Sequence, residues 1–217
     1  MVTRSKTARK QIIEMTEDRL LPTIENVYKE SLRSMINVFG NLYYIDGNSN
    51  RIKVTCSHGN PERIIGRIKA DNTMVLPFIS IVETGTSNDD DKRRYQPMLH
   101  HEVMWDPEKL RAVRVLSLVP RPIVLSYEIT IWSKYKADLD MLRSSIFSKF
   151  NPDLDIVTPR STINKAFIEN ESEVGSFTAE DSQDRVLQKS IAVNLETYIE
   201  NPKFTFTNTG QVVEFDC

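Results

Sequence analysis

The run from Pro122 to Tyr135 constrains the fold more than any other part of the chain. Ile123, Leu125, Tyr127, Ile129, Ile131 and Tyr135 take odd positions, and Ser126, Glu128, Thr130 and Lys134 take even ones. Successive side chains of a strand point to opposite faces, so this period of two predicts one buried and one mostly wet face. The strand covers about 13 residues, or roughly 43 Å at about 3.3 Å per residue, more than a small domain needs to close a core. Trp132 falls on the wet face and needs a second partner there, which makes it a candidate interface residue.

A helix is predicted directly after it. Leu139, Leu142, Ile146, Phe147 and Phe150 form one stripe between Ala137 and Phe150, and Asn151-Pro152 stops the helix. A second amphipathic helix is predicted from Thr23 to Phe39, with Pro22 before it and Thr23 as N-cap. Upstream, residues 1–22 read as a basic arm or short helix carrying Arg4, Lys6, Arg9 and Lys10. Asn41 to Ile45 and Arg51 to Ser57 read as a hairpin around Asp46-Gly47-Asn48. A short helix over Pro61 to Ile68 and a strand from Met74 to Val82 follow, with Pro77 arguing for an edge or bulged position.

Thr84 to Tyr95 reads as a long polar loop, and the signal as far as Val119 is mixed. Ile163 to Ile168 and Val186 to Ile199 are further strands. Between them Glu169, Glu171, Glu173, Glu180, Asp181 and Asp184 stand with no Lys or Arg, an acidic loop that is a candidate partner-binding element. Four or more alternating strands and two amphipathic helices give an α+β fold: a mostly antiparallel sheet with helices packed on one face. No composition shift, linker or internal repeat marks a second domain. The expected organisation is the arm at 1–22, one α+β domain at 23–201, and a C-terminal strand or hairpin at 202–217.

Composition narrows the class of function. Twenty-eight Lys and Arg against 30 Asp and Glu give a net charge of −2, so there is no global positive field to attract nucleic acid or an anionic membrane. No stretch approaches the roughly 18 consecutive apolar residues of a membrane span, and the expectation is a soluble chain without a secretory leader. Neither a phosphate-binding loop nor a dinucleotide fingerprint can be assembled from the seven glycines. Cys56 and Cys217 are too few for a disulfide framework. Cys56 with His58 as a nucleophile pair, and His100, His101 and Glu102 as metal ligands, are each outweighed by ordinary structural roles for those residues. No catalytic residue, cofactor or metal is expected, and a protein that works through contacts remains.

The run Arg121-Pro122-Ile123-Val124-Leu125-Ser126-Tyr127-Glu128-Ile129-Thr130-Ile131-Trp132-Ser133-Lys134-Tyr135, with its helix through Asp138, Asp140, Met141, Leu142 and Ile146 to Phe150-Asn151-Pro152, resembles the tail terminators of contractile-tailed bacteriophages. These are the sheath-stabiliser or tail-completion proteins of T-even-like myoviruses. The Leu32 to Phe39 helix end and the strands at Arg51 to Thr55 and Ser190 to Tyr198 fall in the same order, so the likeness covers residues 27 to 200. The segment before Thr23, the shorter middle and Phe204 to Cys217 depart from it. The resemblance implies a non-enzymatic virion protein, assembled in the host cytoplasm and placed at the head-proximal end of the tail. It implies a homohexameric ring that contacts tail tube, tail sheath and neck or head-completion proteins, with DNA passing through unread and no membrane involved. Another head–tail connector or neck ring is the alternative.

A ring of this kind uses one heterologous interface six times, and its closure ends growth. Phe204, Phe206, Val212 and Phe215 are candidate contacts on a C-terminal segment that either donates a strand or folds as a hairpin around Asn208-Thr209-Gly210. The acidic segment is expected to face outward, toward a basic partner.

Overall fold

The long alternating run forms a single strand, Arg121–Ser133, and its odd positions from Ile123 to Ile131 are buried as the period requires. The computed structural model describes residues 8–45, 47, 49–60, 63–64, 66, 75–92, 98–106, 110–158, 163–178, 185–206 and 212–214. In chain order the elements are α1 (Ala8–Phe39), β1 (Tyr43–Ile45), β2 (Arg51–Lys53), β3 (Thr55–His58), β4 (Phe78–Asn88), β5 (Leu99–Asp106), β6 (Arg111–Leu118) and β7 (Arg121–Ser133). There follow α2 (Lys136–Lys149), β8 (Leu154–Val157), β9 (Ile163–Thr178), β10 (Arg185–Ile199), β11 (Phe204–Phe206) and β12 (Val212–Glu214). The class is mixed α+β with mainly antiparallel sheets, as the alternation predicts.

The chain divides into two compact units. The first takes in Met1–Tyr28, Asn88–Pro122 and Tyr198–Cys217. It holds the early part of α1 and an antiparallel sheet in the order β12-β11-β6-β5. Its core is Ile12, Leu116 and Phe204, with Met15, Leu99, Leu118 and Val212 packed against them. Phe204 pairs with Leu116 of β6 and with Glu214 of β12. The C-terminal segment is therefore a hairpin on the chain's own sheet, the second of its two expected forms.

The second unit takes in Lys29–Ser87 and Ile123–Thr197. Its sheet runs β3-β4-β7-β10-β9-β8, so the strand that comes late in sequence, β10, lies inside the sheet. Leu139, Leu142 and Ile146 of α2 are buried. The end of α1 meets α2 through the stacked rings of Phe39 and Phe150, 6.4 Å apart, and through Lys149 Nζ donating to the Val38 carbonyl. Ile64, Phe78, Trp132 and Val186 form a further core cluster, backed by Leu76.

Several expectations need correction. The helix does not begin at Thr23; α1 is continuous over 32 residues and passes through Pro22. An interior proline removes one backbone donor and costs about 3 kcal/mol, but Ile12 is fully buried against Leu116 and Phe204, which rewards the extra turns. Arg51 to Ser57 is not one strand. Val54 donates its N–H to the Leu42 carbonyl, and the chain then leaves β1 to pair β3 in parallel with β4. Pro77 does not mark an edge strand, because it precedes the first residue of β4 and removes no ladder donor.

The supposed polar loop starts later than Thr84, since β4 continues to Asn88. The acidic stretch is not a loop throughout. Glu169 to Thr178 belong to β9, which pairs with β10 as far as Thr178 opposite Arg185, with register shifts that leave Glu169 and Gly175 without a partner in the ladder. Tyr135 leaves the buried face altogether and stands exposed ahead of α2. The proposed helix over Pro61 to Ile68 and the arm before Ala8 fall mostly outside the described residues.

Candidate interaction surfaces

Strands β5 and β6 form a full antiparallel hairpin, from Leu99 opposite Leu118 to Asp106 opposite Arg111. Alternation puts Leu99, His101, Val103 and Trp105 on one face, with Leu118, Leu116, Arg114 and Ala112 beside them. At the Leu99 end this face packs on Ile12 and Phe204. Toward the turn it does not. Val103 is 73% exposed, Trp105 62% and Leu110 74%. Strand β5 is also the outer strand of its sheet, so the backbone groups on its far side have no strand partner among the described residues. Exposed apolar side chains clustered along an open edge mark a contact surface, because both features carry a cost in a free monomer.

Lys203 Nζ reaches Glu102 Oε2 at 3.4 Å on the other face of this hairpin. His100 and His101 are exposed. No three His, Cys, Asp or Glu residues come together in a metal-holding group among the described residues. This hairpin is the surface that sequence reasoning missed. Its signal was the alternation of Leu99, Val103 and Trp105, blurred because His101 interrupts it and the opposite face is also polar.

Trp132, expected at an interface, is instead fully buried in the second unit, and its Nε1 donates to Ser80 Oγ at 3.0 Å. The even face of β7 carries hydrogen bonds across the sheet. Ser126 Oγ donates to Asn194 Oδ1 at 2.8 Å, and Asn194 Nδ2 donates to Glu169 Oε2 at 3.1 Å. Thr130 and Ser190 pair their hydroxyls at 3.2 Å, both buried.

Two of the six predicted acids are thus engaged within the chain. Glu169 takes the Asn194 amide. Glu171 receives both Nε and Nη2 of Arg143 on α2, the latter at 2.7 Å, and Lys189 Nζ of β10 at 3.0 Å. The hydrogen bonds from Arg143, reinforced by Lys189, hold the Glu171 carboxyl below the usual carboxylate range against the opposing effect of burial. The Glu173 side chain and residues Glu180, Asp181 and Asp184 lie outside the described residues, as does Phe215. Of the C-terminal candidates, Phe204 is buried core, Val212 is half-buried and Phe206 is exposed.

Cys56 of β3 lines a cleft of about 460 Å³ with Ile36, Asn37, Gly40, Asn41, Lys53, Val54 and Thr55. Burial pushes its thiol up to about 12. A thiol so placed stays protonated at neutral pH and is a poor nucleophile. No helix of the described residues is long and apolar enough to cross a membrane. No family model matches the chain, and none of the curated proteins is similar to it at a significant level.

Proposed function

We propose that the protein is a structural subunit of a contractile phage tail, a terminator that closes as a ring on the head-proximal end of tube and sheath. The observation that carries this reading is the β5–β6 hairpin, where Val103, Trp105 and Leu110 stand exposed beside an open strand edge. Such a surface gains about 25 cal/mol for each Å² of apolar area that a neighbour covers, and an open edge adds directional backbone bonds. The sequence likeness over Arg121 to Pro152 supplies the kind of assembly.

In this role the hexamer works through shape and chemically alters nothing. Each copy offers one face to its neighbour, six such contacts close, and no free end is left to recruit a further tube or sheath ring. The sheath's last ring then rests on a finished surface, the neck proteins bind the opposite side, and DNA passes through the opening.

Electron microscopy of tails assembled with and without the protein tests the proposal. Its loss should give tails of irregular length with unstable sheaths and no attached heads. Tails of regular length that stay sheathed but never join heads would favour the connector alternative. Complete, head-bearing tails in its absence would end both readings.

A further inference from the structure

The six-stranded sheet of the second unit ends on two strands of opposite charge. Its outer strands are β3 and β8, each of four residues, and neither has a strand neighbour on its far side among the described residues. Around β3, residues 47–61 include no Asp or Glu. Arg51, Lys53 and His58 are exposed there, and the Arg51 guanidinium lies over the Tyr43 ring at 4.2 Å. Thr55 and Cys56 border the cleft that Lys53 shares with Asn37 and Asn41, so the start of β3 looks onto open space. Around β8, residues 150–159 include Asp153 and Asp155 and no Lys, Arg or His. Both carboxylates are exposed, and so is Val157, at 68%. They share Lys165 of β9, which pairs with Asp153 at 3.1 Å and stands opposite Asp155 in the ladder, so this edge keeps an acidic surplus.

The two strands also run the same way. β3 is parallel to β4. β4 is antiparallel to β7, since Ser80 meets Trp132 and Thr84 meets Ser126. β7 is antiparallel to β10, since Ser126 meets Asn194 and Thr130 meets Ser190. Antiparallel steps from β10 to β9 and from β9 to β8 return the direction to that of β3. A rotation about an axis along the strands therefore sets β8 of one copy parallel to β3 of the next, with Asp153 and Asp155 at the same end as Lys53.

We propose that β8 of one copy adds in parallel to the outer flank of β3 of a second copy, so that one sheet continues through both. This rests on the proposed ring, whose head-to-tail contacts need two different, complementary surfaces on each chain. Charge opposes pairing of like with like: two β3 edges would set Arg51 and Lys53 against themselves, and two β8 edges Asp155 against itself. The Val157 carbonyl already takes the Ser34 hydroxyl at 3.4 Å, so the contact centres on Leu154 to Ile156. A nucleic acid fits the β3 edge less well, because two cations neutralise few phosphates and the chain as a whole is negative.

The test uses full-length protein. Isotope-labelled and unlabelled copies are mixed at low salt, joined by a zero-length carbodiimide cross-linker, and mapped by mass spectrometry. Links from Lys53 of one copy to Asp153 or Asp155 of another are expected. Hydrogen exchange should slow at backbone amides of β3 when copies associate, because strand addition pairs them.

Lys53→Glu and Asp155→Lys are then compared by sedimentation. Each alone should self-associate about tenfold or more weakly than the wild type, since each sets like charges together. The double variant should recover association, because the two charges have changed places. Circular dichroism confirms that all three variants are folded.

The contact is overturned if the single variants associate like the wild type or if the double variant stays as weak as they are. It also falls if the β3 amides keep their exchange rates, if the links join groups of one chain only, if the protein stays monomeric at low salt, or if Lys53 is needed for DNA binding instead. Rings that form with Lys53 linked elsewhere would end this contact and leave the proposed ring intact. Normal tails made without the protein would end the ring itself.

Discussion

The chain's two tryptophans lie in strands of different sheets and meet opposite fates. Trp132 ends β7 in the second unit, fully buried with its indole N–H satisfied by Ser80. Trp105 ends β5 in the first unit, 62% exposed on an outer strand. A large aromatic ring can stabilise a core or an association, depending on whether the chain itself covers it. Here position in the sheet decides. β7 has neighbours on both sides and a cluster of Ile64, Phe78 and Val186 over Trp132, whereas β5 has one neighbour and nothing described over its turn end.

Replacing each tryptophan sharpens the contrast. Trp132→Ala should cost about 3–5 kcal/mol of stability, a typical figure for emptying a buried aromatic site, measured by denaturant unfolding followed by circular dichroism. Trp105→Ala should change stability by no more than about 0.5 kcal/mol yet weaken assembly onto tails by about 2 kcal/mol, as expected of an interface anchor. Equal stability losses for the two would erase the distinction between them.

A smaller effect separates the buried charges from the exposed ones. Glu171→Gln removes the carboxylate that Lys189, buried in the sheet, and Arg143 both meet, and should cost about 2 kcal/mol. Because the Glu171 carboxyl is held below its ordinary value, its contribution is complete above the unfolded-state pKa and is lost as pH falls through the folded one. Acid titration of stability should therefore flatten in the Gln variant below about pH 4.3, the ordinary glutamate value. The smallest effect concerns Cys56. In a Cys217→Ser background, alkylation of the native protein near pH 8 should be very slow, since a thiol with pKa about 12 is thiolate in only about 1 part in 10,000. Unfolding should restore ordinary reactivity.

Long elements with one dry face were legible in the sequence. The odd positions of β7, the Leu139, Leu142 and Ile146 stripe of α2, and Ile191, Val193, Leu195 and Ile199 of β10 are buried as their periods require, whereas earlier in β10 the alternation breaks, with Leu187 half-buried and Lys189 and Ser190 buried. Reading failed where burial is set by tertiary partners. Lys189 is buried beside Glu171, and Arg143, from a distant helix, meets the same carboxylate, a grouping that no local pattern announces. Trp105 looked unremarkable among histidines and carboxylates, and Trp132 looked exposed because its cover comes from Ile64 and Phe78, far off in sequence. The candidate surface was thus assigned to the wrong tryptophan by the same alternation that correctly located the strand.

The order β3-β4-β7-β10-β9-β8 has a consequence for how a growing chain is completed. During synthesis β3, β4 and β7 emerge first, then β8 and β9, and neither group can join the other until β10 arrives between them. The strand made last in this sheet is its keystone. Until it is seated, β7 and β9 each present a bare flank of hydrogen-bonding groups, the stage at which a nascent copy is most open to pairing with the wrong chain.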